Sequence, residues 1–393
     1  MDRQPPQALV NTDVAVDRYG DAGRIWLDSM WSADPLADAV VSDEFGGSSA
    51  TDAVRKALEG GIDTVDDAPD SLRALFTALD AEPAWVDHDR LDRAADALVR
   101  HTAALGIVLG AASLLRGAGN SIAGKPLVLT GRYATMPAVR SVEVGEWLRH
   151  VIAPGGMRRD GDGFAYTVRV RLIHAHVRRA MYRLGTWDET AWGVPIPQPY
   201  MAFTMAEFGH IALDGMYDLG VRFDDDELTA IYHLWRYVGH VVGMDPRLNP
   251  TCAADHIRIE ELYRLTSPGP DDADREFVVA LTDDYLIPEL ADALPGPRRV
   301  RRAVAGRAIH GLQRVFLSDD DADALHIPDG RTKHVLRLAA PVMAAAGRAR
   351  IIVGGRDRLS RRGYRSRDHE MDRMRRAYGV SHELVDNAPA AVS

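Results

Sequence analysis

Apolar residues recur at three- and four-residue intervals along most of the chain. The runs are Ser71–Leu79, Asp89–Leu115, Pro137–Ile152, Tyr166–Leu184, Ala202–Leu219, Asp225–Val242 and Asp274–Leu281. This is the period of an amphipathic α-helix, and no series of alternating β-rich segments competes with it. An all-α protein is expected. Pro137 suits a first helical turn behind Thr135 as N-cap, and Pro154-Gly155-Gly156 closes the same helix. The weakly polar stretch Thr102–Leu115 falls short of the roughly 20 residues needed to cross a bilayer, and reads as a buried core helix. Breaks at Ser267–Asp272 and Leu294–Pro297 are short enough to be interhelical turns. The expectation is one large helical domain: an arm over residues 1–18, the main body over 19–295, a basic helical extension over 296–386 packed on it, and a frayed tail over 387–393.

Composition supports a soluble globular protein, with 46% apolar and 26% charged residues among 393. A net charge of −10 argues against a nucleic-acid partner, but the charge is unevenly placed. Residues 1–130 carry 21 acidic and 11 basic side chains, whereas residues 296–376 carry 20 basic and 9 acidic. That basic region is either a solvated face complementing the acidic half or a surface for an anionic partner. The lone Cys252 forms no intramolecular disulfide, and the N-terminus shows no secretory pattern, so a cytoplasmic location is expected. Phosphate-cradling glycine loops, Gly-x-Ser-x-Gly and His-Glu-x-x-His are all absent, which takes support from NTPases, dinucleotide-binding dehydrogenases, α/β-hydrolases and zincins.

What remains is histidine, with 14 copies. On a helix over Tyr166–Leu184, His174 shares a face with Val170, Arg171, Val177, Arg178 and Met181, while His176 lies about 200° away. An imidazole on an apolar helical face, flanked one turn each way by arginine, suits axial ligation of haem iron with the arginines for the propionates. A core histidine is the plainer reading, and His150, His210, His233 and His240 compete by pattern. In Pro137–Ile152, Arg140, Val144, Trp147 and Val151 fall on one stripe, with Glu143 three residues beyond Arg140. Arg140 either snorkels beside Glu143 or points into a pocket.

The succession Pro83-Ala-Trp-Val-Asp87, Lys125-Pro-Leu-Val-Leu-Thr-Gly-Arg132, Arg140 with its helix, Pro154-Gly-Gly-Met157 and Val170-Arg-Leu-Ile-His-Ala-His-Val-Arg178 resembles the latex-clearing protein family, within the MpaB-like oxygenases. Gly193-Val-Pro-Ile-Pro-Gln198 and Tyr237-Val-Gly-His-Val-Val-Gly243 continue the likeness, which covers about residues 19–290. The resemblance implies a globin-like helical core, one haem b and dioxygen-dependent cleavage of isoprenoid double bonds. It makes His174 the proximal iron ligand and Arg140 the distal arginine.

Where rubber-cleaving members carry lysine and threonine after that arginine, this chain has Glu143 and Val144, and Ala123-Gly124-Lys125 stands where their glutamate is expected. The first reading is therefore a cytoplasmic haem-b oxygenase using dioxygen on a small lipophilic molecule. In it Arg140 and Glu143 are catalytic, His174 is the iron ligand, and Arg171, Arg178, Val144 and Trp147 contact the cofactor. Two alternatives stand beside it: peroxide-dependent oxidation with Glu143 as distal acid–base group, and a non-catalytic helical protein binding a partner through residues 296–376. No nucleic-acid partner and no membrane span are expected.

Overall fold

A computed structural model describes residues 3–42, 48–129 and 137–380. These fold into helices with no strand among them. The N-terminal third holds α1 (Thr12–Tyr19), α2 (Asp21–Asp28), α3 (Pro35–Ser42), α4 (Ser48–Gly60), α5 (Asp70–Asp80), α6 (His88–Val99), α7 (Thr102–Val108), α8 (Leu114–Gly117) and α9 (Ser121–Leu129). The middle holds α10 (Pro137–Val151), α11 (Asp162–Leu184), α12 (Glu189–Trp192), α13 (Gln198–Ala206), α14 (Ala212–Asp218) and α15 (Asp225–Val241). The remainder comprises α16 (Ala253–Thr266), α17 (Asp272–Leu281), α18 (Ile287–Asp292), α19 (Arg298–Phe316), α20 (Asp319–Ala324), α21 (Thr332–Gly354) and α22 (Arg356–Tyr378). Thr135 and the tail expected over 387–393 lie outside the described residues.

Most sequence expectations map directly onto these elements, including the turns at 267–271 and 293–297. The run Asp89–Leu115 does not form one helix. It bends by 83° between α6 and the following helix. Arg100 there turns to form a buried ion pair with Glu227 of α15. The carbonyl of Val99 is covered by Gly363 of α22, where a Cβ would come within 2.2 Å. Periodicity registers which residues are apolar, but not that the buried face changes direction at an arginine. No single helix is long and apolar enough to cross a membrane among the described residues.

Three segments widen to π-helix: Leu109–Ser113, Glu207–Ile211 and Thr282–Leu286. The first packs against both others. Such segments leave backbone groups to be satisfied from outside, and Ser113 Oγ donates to the carbonyl of Glu207 at 2.8 Å.

A single apolar core runs through the bundle, anchored by Trp26, Phe76, Phe164, Trp235, Tyr237 and Tyr263. The basic C-terminal helices belong to it, since Ala305, Ile309, Leu312 and Phe316 of α19 are buried. Helix α22 crosses α10, with Met371 against Gly145 and Arg367 donating to the carbonyl of Ile152 at 3.1 Å. Burial opposes ionisation of Glu146, but hydrogen bonds from His150 and Arg149 and the charges of Arg149 and Arg375 outweigh it and hold its carboxyl down at about 2. Thus α10 is clamped between α11 and α22.

Candidate functional site

The site grows from the α10–α11 hairpin. Its turn depends on glycine: Gly155 has φ of 68°, and a Cβ on Gly156 would lie 2.0 Å from the carbonyl oxygen of His150. Just beyond this turn, Trp147 Nε1 donates to Thr167 Oγ1 at 3.0 Å, and that hydroxyl donates to the carbonyl of Gly163 at 2.7 Å. The Trp147 ring packs against Phe208 and Trp235 at centroid distances of 5.2 and 6.1 Å. Two turns along each helix in opposite directions stand Arg140 and His174. The hairpin therefore brings these residues opposite each other.

His174 is half-buried on α11. Its pKa falls to about 4: burial is the chief cause, the Arg178 charge adds to it, Asp34 opposes it, and Arg140 lowers it further. At neutral pH the ring is an uncharged imidazole with a lone pair to give. Its Nδ1 is shut from solvent and has no hydrogen-bond partner. One turn on, Arg178 Nε donates to Asp38 at 2.7 Å while its Nη2 is buried without a partner. A buried cationic donor left unsatisfied one turn from a neutral imidazole suits a group carrying iron and carboxylate together. No cluster of three or more His, Cys, Asp or Glu suited to a metal ion occurs among the described residues.

The remaining expected site residues fall into different surroundings. Arg171 commits its guanidinium to Asp34, with bonds of 2.5 and 2.9 Å, and both side chains are buried. That pair fastens α11 at the start of α3. Glu143 is half-buried one turn from Arg140, Val144 is exposed, and Trp147 is buried in the aromatic cluster. His176 points outward. Of the competing histidines, His150 stacks on Tyr166 and bonds Glu146, and His233 accepts the backbone N–H of Asp87 at 3.0 Å.

Two buried titratable groups on and beside the second π segment escaped the pattern. Glu207 lies against Gly117, whose missing side chain makes room for Oε1. Burial pushes its carboxyl up to about 8. The signal was a lone acid in the otherwise apolar run Tyr200–Phe208. His256 is fully buried against Gly209 and the Tyr232 ring, with its pKa lowered to about 3, chiefly by burial.

The class defined so far is an all-helical protein in which one helical hairpin carries a neutral histidine on its second helix and an arginine on its first. The family model described as ER-bound oxygenase mpaB/B'/Rubber oxygenase, catalytic domain, matches residues 97–348, and the chain belongs to that family. A rubber oxygenase from Streptomyces sp. (strain K30) is 25% identical over 262 residues, covering 63% of this chain and 59% of that relative. The chain thus spans about three-fifths of the length of the curated relative it matches. The solved structure of latex clearing protein LCP in the closed state superposes with a TM-score of 0.66 at 17% identity, covering 86% of this chain and 91% of that one. That likeness establishes the shared fold.

Proposed function

We propose that the protein is a haem-b-dependent oxygenase that uses dioxygen to oxidise or cleave a small lipophilic molecule, an isoprenoid or another natural-product intermediate, in the cytoplasm. The observation that carries this reading is the far end of the α10–α11 hairpin, where Arg178 Nη2 is buried without a partner one turn from the neutral imidazole of His174. Membership of an oxygenase family supports the reaction class, and the rubber oxygenase relative supports an isoprenoid-like substrate.

Haem, when bound, supplies the redox iron at which dioxygen and substrate react. His174 would hold that iron through Nε2, since Nδ1 is enclosed. Arg178 would pair a porphyrin carboxylate with its unpartnered Nη2. Arg171 acts indirectly, fixing α11 through Asp34. Arg140 would stabilise negative charge developing on the opposite side, and Glu143 would hold or deliver a proton there. Trp147 keeps the two helices in register through Thr167.

Arg140→Ala should lower turnover on small isoprenoids by roughly 10²–10³-fold while haem content is kept. Assaying carbonyl products from such isoprenoids and from polyisoprene latex, under oxygen and with peroxide alone, tests the rest. The reading requires oxygen-dependent products from the small molecules at the higher rate. Comparable rates on latex would overturn the substrate class, and turnover with peroxide alone would overturn the oxidant.

A further inference from the structure

Helix α21 carries a feature that folding does not use. Val335, Leu338, Val342, Ile352 and Val353 are 63%, 80%, 70%, 82% and 85% exposed. At about 100° per residue these positions fall within one arc of roughly 120°. Ala345, Ala346 and Ala349 occupy the same arc and are exposed as well. The result is an unbroken apolar stripe along about 27 Å of helix, facing outward. Soluble proteins seldom leave so large an apolar patch uncovered.

The flanks of the stripe are cationic. Helical geometry puts Arg337 and Arg348 along one side and Arg350 along the other. Residues 331–365 contain ten arginines and lysines against a single acid, Asp357. Beside the stripe, α21 and the end of α14 enclose a groove of about 330 Å³ lined by Tyr217, Asp218, Arg222, Arg337, Pro341 and Arg348. Three guanidinium groups thus converge on a small cleft containing one carboxylate, at the edge of an apolar face. A second copy of the chain is a poor occupant, because pairing the two stripes would oppose two strongly basic segments. An anionic lipid surface complements both the charge and the apolar arc.

We propose that α21 seats the protein on anionic bilayers, with Leu338, Val342, Ile352 and Val353 entering the acyl boundary and the Arg222–Arg337–Arg348 groove receiving lipid phosphate. This docking is independent of the oxygenase reading and does not require haem. The test is co-sedimentation of the full chain with phosphatidylcholine vesicles containing or lacking 30 mol% phosphatidylglycerol, with size-exclusion chromatography in parallel. Wild-type protein should bind the anionic vesicles at least ten-fold more tightly than the neutral ones and elute as a monomer without lipid. Leu338→Asp with Val342→Asp, at two solvent-facing positions, should lose this binding with circular dichroism unchanged. Arg337→Gln with Arg348→Gln should weaken it and flatten its salt dependence. Equal binding to both vesicle types, or binding unaffected by the aspartates, would overturn the proposal. So would a dimer that the aspartates dissociate, which would assign the stripe to a second copy.

Discussion

The two ends of the α10–α11 hairpin are built from the same pair of helices and meet opposite demands. Near the turn, Trp147, Thr167 and the carbonyl of Gly163 satisfy one another, and the indole is packed between aromatic rings. Two turns away, His174 Nδ1 and Arg178 Nη2 are enclosed with nothing to bond. Each such group costs roughly 1–3 kcal/mol. The packed end offsets that cost and fixes the register that holds Arg140 opposite His174. On the function proposed above, stability and reactivity are divided along the length of one hairpin.

The largest effect should come from breaking the packed end. Trp147→Ala should destabilise the protein by about 3–5 kcal/mol in chemical denaturation, through the cavity it leaves. Trp147→Phe removes chiefly the bond to Thr167 and should cost about 1 kcal/mol. If both variants cost the same, packing is not what holds this end.

Glu207 provides a middle case, a buried acid with a raised pKa. Its folded-state value of about 8 lies above the ordinary 4.5, so its contribution to stability is intact below pH 4.5 and is lost as pH rises through 8. Glu207→Gln should match wild type at pH 4 and exceed it by about 4 kcal/mol at pH 8. A difference independent of pH would show that folding leaves the titration of this carboxyl unshifted.

The smallest effect on folding should fall at the open end. His174→Leu, measured without haem, should change stability by less than about 1 kcal/mol, because it replaces an unsatisfied ring with an apolar side chain. A loss comparable to that of Trp147→Ala would make His174 a structural core residue.

The helices, and the placing of an arginine one turn either side of His174, were legible because helical period and the Arg-x-x-His-x-x-x-Arg spacing are local properties of the chain. The division of labour between the two flanking arginines was not. Arg171 is tied to Asp34, 137 residues earlier, whereas Arg178 retains a free donor, and only the packing of α3 distinguishes them. The bend at Arg100 was hidden for the same reason, its causes being Glu227 and Gly363 far along the chain. Trp147, expected at the cofactor, faces Phe208 and Trp235 because those rings come from α15 and the second π segment, whose approach no helical wheel of α10 reveals.

The central claim is that His174 is the protein's one iron ligand, and the absorption spectrum on titration with haem tests it most directly. Wild type and His176→Ala should each take up one equivalent and show a Soret band. His174→Ala, folded by circular dichroism, should show none until imidazole is added. A Soret band retained in His174→Ala and lost in His176→Ala would contradict the account.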